Sequence, residues 1–137
     1  MKNVLTLTLA ATLMTTLTGC SSSQTAASST TKETKTYKVA VVKQLDHASL
    51  DEIAKAICDE FDAISEKEGV KIEYGDVYSG QNDQTVLQQI GSQVTSEGVD
   101  AIVPIATLAA QTMTVASDGS VPVVFAAISD PEAADLT

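Results

Sequence analysis

Six polar residues stand where short apolar runs give way to polar loops, so their side chains could contact a small ligand. Asp46 and His47 are adjacent, a pair that could support general acid–base chemistry. No Gly-x-Ser-x-Gly elbow or other nucleophile signature accompanies them, so a hydrogen-bonding role for His47 at a pocket rim, or simple exposure, is favoured over catalysis. The six candidate ligand-binding residues are Asp46, His47, Gln81, Thr107, Ser129 and Asp130.

Three of these residues suit a ligand that carries two opposite charges. A threonine that opens a helix offers its hydroxyl, free backbone N–H groups and the positive end of the helix dipole, and Thr107 is placed to do so. Together they suit a carboxylate or another small anion. Ser129 could add a second hydroxyl, and Asp130 a negative charge for an ammonium group. The set therefore fits a zwitterionic amino acid, unless Thr107 and Ser129 are only caps and Asp130 only a turn residue.

Other site chemistries are not supported by the sequence. Gly-x-Gly-x-x-Gly and Gly-x-x-x-x-Gly-Lys-Ser/Thr are both absent, so dinucleotide and P-loop phosphate sites lack their motifs. A flavodoxin-like flavin site requires a loop rich in hydroxyl groups and glycine after the first strand. Here that loop is residues 43–49, which contain no glycine. His47 is the single histidine, and no residues cluster at metal-ligand spacing. We therefore predict no catalysis, no metal and no cofactor.

The apolar pattern predicts the elements that position these residues. Apolar or alternating runs predict strands over 39–42, 70–74 with an extension toward Val77, 100–105 and 121–128. Apolar residues three or four apart predict three helices between them. The first begins at Leu50 behind a Ser49 cap and ends at Gly69, the second follows a cap at Asn82 or Asp83, and the third runs from Thr107 through Ser117.

The order βαβαβαβ predicts an α/β fold with a three-layered parallel sheet. Right-handed crossovers give the strand order 2-1-3-4, with its switch point between the first and third strands. Ligands bind outside the carboxyl ends of the strands at such a point, where the six residues converge. Pro104 has no N–H, so we expect strand pairing to end near it and Pro104 to shape the next loop. Residues 78–81 are predicted to be a loop.

Composition limits the partners of the chain. Its 137 residues carry a net charge of −10, and after residues 1–19 seven basic side chains face eighteen acidic ones. This balance argues against nucleic acid and against an anionic lipid surface, since both attract positive charge. Besides Cys20 the chain has only Cys58, which we expect to be a buried small hydrophobe.

The N-terminus has the pattern of a secretory signal peptide. Lys2 precedes an apolar, threonine-containing run over 4–17, too short to be a permanent membrane span. The following Leu-Thr-Gly-Cys resembles the lipobox of bacterial lipoproteins, which implies a lipid on the Cys20 thiol; the alternative is an ordinary signal peptide with a chance cysteine. We expect a signal peptide over 1–19, lipidated Cys20 with a flexible Ser/Thr-rich tether to residue 36, and a folded lobe over 37–137.

The folded part resembles the substrate-binding lipoproteins of ABC transporters, of the tryptophan/tyrosine-type group. The resemblance implies a periplasmic-binding-protein type I fold with two closing lobes, an outward-facing lipid anchor in the cell membrane, and permease and ATPase partners. It implies pocket roles for the six candidate residues, and the role of Gln81 rests on this resemblance alone. Pro104 and Asn82 depart from the family pattern, a glycine being commoner at position 82. The matching segments are residues 46–51, 81–87, 100–103, 105–111, 121–125 and 129–131.

The resemblance covers the first lobe only, so we expect the sequence to be the N-terminal fragment of a longer protein. The predicted function is capture of a small zwitterion, such as an aromatic amino acid, for an importer. An exported ligand sensor for a membrane receptor is the alternative from another class. A secreted hydrolase is disfavoured because the sequence has no nucleophile motif.

Overall fold

The computed structural model describes residues 34–137. The predicted signal peptide, Cys20 and the tether up to residue 33 lie outside this range. No helix within the described range is both long and apolar enough to cross a membrane. The elements are β1 (Thr36–Lys43), α1 (Ala48–Glu68), β2 (Lys71–Glu73), β3 (Tyr78–Ser79), α2 (Gln84–Ser96), β4 (Ala101–Ile105) and α3 (Thr107–Ser117).

β1 is the central strand of a parallel sheet. β2 and β3 pair with one side of it and β4 with the other. Residues 121–128 run beside the outer edge of β4, where Val123 and Ala126 form parallel bridges to Ile102 and Ile105. The predicted order 2-1-3-4 is therefore confirmed, with β4 as the third predicted strand and residues 121–128 as the fourth.

The second predicted strand is interrupted. Its first part is β2, and the chain rejoins β1 only at β3, where Val42 pairs with Tyr78. Gly75 has a φ of 55°, a left-handed conformation that bends the backbone away from the sheet between the two pieces. Residues 78–79 were predicted to be a loop and instead form β3, so that prediction was wrong. By pairing with the end of β1, β3 brings the loop that follows it to the carboxyl end of β1.

β4 ends at Ile105, so strand pairing ends one residue after Pro104, as predicted. Pro104 itself lies inside β4 and is fully buried, so the prediction that it shapes the next loop was wrong. On the β1 side, Pro104 pairs with Val42. On the other side, its carbonyl oxygen accepts from Ala126 N at 2.9 Å, but it has no N–H to donate to Val124 O in return. One missing ladder bond explains why residues 121–128 form two isolated bridges and not a continuous strand.

Helices cover both faces of the sheet. α2 and α3 pack on one face, and α1 packs on the other. Val124 is 61% exposed and, with Ile57 and Phe61 of α1, lines an open groove on the α1 face. The buried core on the α2–α3 face consists of Ala40, Val42, Leu87, Ile90, Val94, Ile102, Ala109 and Met113, and that on the α1 face of Val41, Ala54, Val103 and Ile105.

The first two helices begin with side-chain caps. The predicted Ser49 cap of α1 was wrong: the N-cap is His47, whose Nδ1 accepts from Ser49 N at 3.3 Å. Gly69 ends α1 as predicted, with a φ of 65° and its N–H bonded to Ser65 O. Asp83 caps α2, accepting from Thr85 N at 2.7 Å and Val86 N at 3.1 Å.

The Asp83 cap predicts a pH-dependent contribution to stability. Hydrogen bonds from the backbone N–H of Val86 and then of Thr85 lower the pKa of the Asp83 carboxyl. Its stabilisation is therefore complete above the ordinary value of about 3.9 and is lost as pH falls through the lower folded value. We expect Asp83→Asn to retain most of the cap and to remove this pH dependence, and Asp83→Ala to lose both. Urea unfolding midpoints between pH 2 and pH 7 would show this; equal midpoints for Asp83→Ala and the parent chain would contradict it.

Candidate functional site

Four connections meet at the carboxyl edge of the sheet. They follow β1, β3, β4 and the last bridge of residues 121–128, and each carries at least one of the predicted site residues. Backbone hydrogen bonds hold them side by side: Gly80 N donates to Lys43 O at 2.9 Å, Gln44 N to Ile105 O at 3.1 Å, and Ala106 N to Ala126 O at 3.0 Å. The convergence of these segments at one edge is therefore as predicted.

Gln44 links three of these connections, and sequence analysis did not select it. Its carbonyl oxygen accepts from Asn82 N at 2.8 Å, and its side-chain Nε2 donates to Asn82 Oδ1 at 2.9 Å. The other side-chain atom, Oε1, accepts from Leu108 N in the first turn of α3 at 3.0 Å. The one feature of the sequence that points to Gln44 is its position, since it is the amide side chain that directly follows β1.

Asp46 is paired with a cation of its own chain. Lys43 Nζ donates to Asp46 Oδ1 at 2.9 Å and also contacts Asp51, and only 12% of the Lys43 side chain is exposed. The Lys43 ammonium, and to a smaller degree the Ser79 hydroxyl, lower the pKa of the Asp46 carboxyl. The hydrogen bonds to Asp51 and Asp46 in turn raise the pKa of Lys43. Asp46 is thus an ionised carboxylate that shares the Lys43 cation with Asp51.

Ser79 contributes a buried hydroxyl next to this pair. Its Oγ is shielded from solvent and has no hydrogen-bond partner among the described residues, so its effect on Asp46 comes from proximity without well-formed bond geometry. The hydroxyl lies where β3 ends, opposite Lys43. Sequence analysis did not choose Ser79, because it looked for polar residues in exposed loops and this hydroxyl is buried at the end of a strand.

His47 has a structural role in the described lobe. It is exposed, and its Nδ1 accepts from Ser49 N at the start of α1. No hydrogen bond joins it to Asp46 within residues 34–137, so the two side chains do not form an acid–base pair.

Gln81 and Asn82 turn the chain sharply after β3. Both are exposed and have positive φ angles, 51° for Gln81 and 56° for Asn82. Asparagine tolerates the left-handed region better than most residues, which explains how this chain accommodates Asn82 where glycine is commoner in the resembled family. The Asn82 side chain is held by a hydrogen bond from Gln44.

Thr107 is the first residue of α3 and is not its cap. The N-cap position belongs to Ala106, with a φ of 77° and a ψ of 161°, and this residue makes no side-chain capping bond. Gln44 Oε1 bonds to the first turn instead. The predicted capping role of Thr107 was therefore wrong, but its hydroxyl is exposed at the positive end of α3, as a ligand contact requires.

Ser129 and Asp130 follow the fourth predicted strand and are exposed. Asp130 Oδ1 accepts from Ala133 N at 3.0 Å, so it stabilises a turn, which is the structural alternative considered above. Gln111 on α3 then fixes this turn by donating to Ala134 O at 3.0 Å. No hydrogen bond within residues 34–137 joins the six predicted side chains to one another.

Strained backbone is concentrated at this edge. Non-glycine residues rarely adopt positive φ, yet each of the connections after β3, after β4 and after the last bridge contains at least one. Such conformations are held by surrounding structure and are often found at functional sites. The residues concerned are Gln81, Asn82, Ala106 and Ala127.

A parallel α/β lobe whose connections gather at the carboxyl edge has the architecture of a ligand-binding domain. The family model described as ABC transporter substrate binding protein matches residues 38–137. The chain therefore belongs to the ABC transporter substrate-binding protein family, a family of binding proteins and not of enzymes. Comparison with curated protein sequences gives no match.

Solved structures agree with this assignment. A conserved domain protein from Vibrio cholerae O1 biovar El Tor is 33% identical with a TM-score of 0.67, covering 75% of this chain and 34% of that protein. An ABC domain in complex with L-Trp from Streptococcus pneumoniae is 34% identical with a TM-score of 0.64, at the same coverage. A ligand-free, open substrate-binding protein with adhesive properties from Clostridium difficile is 30% identical with a TM-score of 0.58, covering 74% and 34%. The chain thus spans about a third of the length of each protein.

Proposed function

We propose that this chain is the first lobe of the lipid-anchored, extracytoplasmic binding component of an ABC importer, and that it captures an amino acid, with an aromatic side chain the best match. The observation that carries the proposal is the L-Trp complex of the Streptococcus pneumoniae domain, which is 34% identical over three-quarters of this chain. The carboxyl edge supports it, because three connections are held there in fixed and partly strained conformations.

In the proposed mechanism no covalent bond is made or broken. The ligand carboxylate is bound by the Thr107 hydroxyl and by first-turn N–H groups of α3 other than that of Leu108, which bonds to Gln44. The helix dipole favours negative charge there. Asp46 shares the Lys43 cation with Asp51, whereas Asp130 has no cation beside it among the described residues, so Asp130 is the better partner for the ligand ammonium. Asp130 uses Oδ1 for its turn and has Oδ2 for that contact. Gln81, His47 and Ser129 supply neutral groups at the rim.

Capture also requires a second surface. A crevice of about 400 Å³ lies beside β1 and an apolar groove of about 250 Å³ lies beside α1, and neither is lined by the six predicted residues. In the proposed function the carboxyl edge is one wall of the site and needs a second, because small-molecule sites bury most of their ligand. We propose that a second lobe closes over this edge, and that the closed form delivers its ligand to a membrane permease driven by an ATPase.

Ligand binding is testable by thermal shift on the gene product read to its natural stop codon. L-Tryptophan at a hundred times its dissociation constant is expected to stabilise it by about 2.7 kcal/mol. Thr107→Val should weaken binding at least tenfold, since a hydrogen bond to a charged group contributes about 1.5–3 kcal/mol. Thr114→Val, a matched change at an exposed position of the same helix, should leave affinity unchanged.

Two results would count against these proposals separately. Unchanged tryptophan affinity in Thr107→Val would mean that the carboxylate site is misplaced. No stabilisation by tryptophan or by any other amino acid would refute amino-acid capture itself.

A further inference from the structure

Gln44 connects parts of the chain that are far apart in sequence. Its side chain bonds to Asn82, 38 residues away, and to Leu108, 64 residues away. Both bonds leave from one planar amide, with the donor Nε2 at one end and the acceptor Oε1 at the other. Such a link fixes the connection after β3 relative to the start of α3. The backbone of Gln44 is itself held by β4, because Gln44 N donates to Ile105 O.

The start of α3 depends on this link because it has no cap of its own. Ala106 occupies the N-cap position and has no polar side-chain atom, so the first-turn N–H of Leu108 is satisfied by Gln44 from another connection. Ala106 is also held in a conformation that suits glycine. Because its N-cap residue is strained and its first-turn N–H bonds to a side chain from another connection, the start of α3 is positioned by that connection.

The chemistry of the two helix caps differs. α2 is capped by Asp83, a carboxylate, which is the common choice for a helix N-terminus. α3 is capped by a neutral amide, so its positive end keeps its favourable interaction with negative charge from outside the chain. A carboxylate at position 44 would compensate that end and would repel an incoming carboxylate.

We propose that Gln44 is the positioning residue of the carboxyl edge of the sheet, which we call the ligand edge. It holds Asn82 and the first turn of α3 in the binding geometry, and it adds no negative charge at the positive end of that helix. The effect on affinity rests on the proposed amino-acid function. The positioning itself rests on the hydrogen bonds of the lobe.

The test compares Gln44→Glu, Gln44→Met and the control Gln88→Glu, an exposed position on α2, in the gene product read to its natural stop codon. Glutamate keeps the length and the acceptor oxygen for Leu108 N and adds a negative charge. It has no donor for Asn82 Oδ1, so the Asn82 amide has to turn over and donate through Nδ2. Gln44→Glu should therefore unfold close to the parent's urea midpoint, yet bind L-tryptophan at least tenfold more weakly. Gln88→Glu adds the same charge elsewhere and should bind like the parent.

Gln44→Met removes both side-chain hydrogen bonds. The Leu108 amide should then exchange with solvent at least tenfold faster than in the parent, measured by hydrogen exchange and NMR, and tryptophan affinity should fall. This exchange rate reports the link in the absence of ligand, so it remains informative if the parent binds no amino acid. In that case the proposed function fails while faster Leu108 exchange still supports positioning.

Three outcomes would overturn the inference. Unchanged Leu108 exchange in Gln44→Met would show that the link does not hold α3. Parent-like tryptophan affinity in Gln44→Glu would show that charge at this helix end does not matter to the ligand. If Gln44→Glu and Gln44→Met both lowered the urea midpoint and the tryptophan affinity to the same extent, Gln44 would act only through the stability of the fold.

Discussion

Gly80→Ala is expected to lower the free energy of unfolding by about 1–3 kcal/mol, the usual range for adding volume to a well-packed interior. Gly80 is buried where β3 passes into the connection to α2. A Cβ atom there would overlap Cγ and Cδ2 of Leu87 and would lie 2.9 Å from the carbonyl oxygen of Gln44. Leu87 is fully buried, so its side chain has little room to move.

A double-mutant cycle with Leu87→Ala would identify the clash as the cause. Leu87→Ala alone should cost about 2–5 kcal/mol, because it removes a buried leucine from the α2–α3 face. Combined with it, Gly80→Ala should cost less than it does alone, since the new methyl group enters the space left by Leu87. Urea unfolding of the four proteins measures both quantities. Additive losses, or a Gly80→Ala protein as stable as the parent, would contradict this explanation.

The same substitution should affect the ligand edge. Gly80 O accepts from Asp83 N at 2.8 Å, and the Gln44 carbonyl oxygen near the new Cβ also accepts from Asn82 N. Relief of the clash by backbone movement would therefore displace the connection over 80–83. Weaker tryptophan binding by Gly80→Ala at concentrations where the protein remains folded would be consistent with that displacement.

The architecture was predictable because its signals are local. Apolar residues three or four apart mark the core side of α1 and α2, and the handedness of crossovers gives the strand order. The errors arose where tertiary context decides. Pro104 can remain in β4 because its missing N–H faces the outer edge, and a sequence does not show which side of a strand each N–H faces.

The residues of the ligand edge were only partly predictable. Residue type and position after a strand identify groups that could contact a ligand, but not the partners that already occupy them. Asp46 was chosen as a charged group, but it is already paired with a cation. That cation, Lys43, lies only three residues earlier, so the pair was detectable in the sequence. Gln44 could not be found this way, because its partners are 38 and 64 residues away.

Cys20→Ala is expected to release the protein from membranes almost completely. In the proposed anchor, the Cys20 thiol carries a diacylglyceryl group through a thioether bond, and alanine has no sulfur to form it. One acyl chain gives only marginal membrane binding, whereas two or three on one residue hold a protein firmly. The acidic lobe, with its seven basic and eighteen acidic side chains after residue 19, offers little attraction to anionic lipid in place of the anchor.

Cys58→Ala is the matched control because it removes the other cysteine of the chain. Cys58 is half-buried in α1, and burial raises the pKa of its thiol. The parent and Cys58→Ala should partition into the detergent phase and incorporate labelled fatty acid, whereas Cys20→Ala should do neither. Detergent-phase partitioning of Cys20→Ala equal to that of the parent would refute the lipobox. A protein that is exported and soluble in both parent and variant would instead identify an ordinary signal peptide with a chance cysteine, since only a lipid on Cys20 makes the two proteins differ.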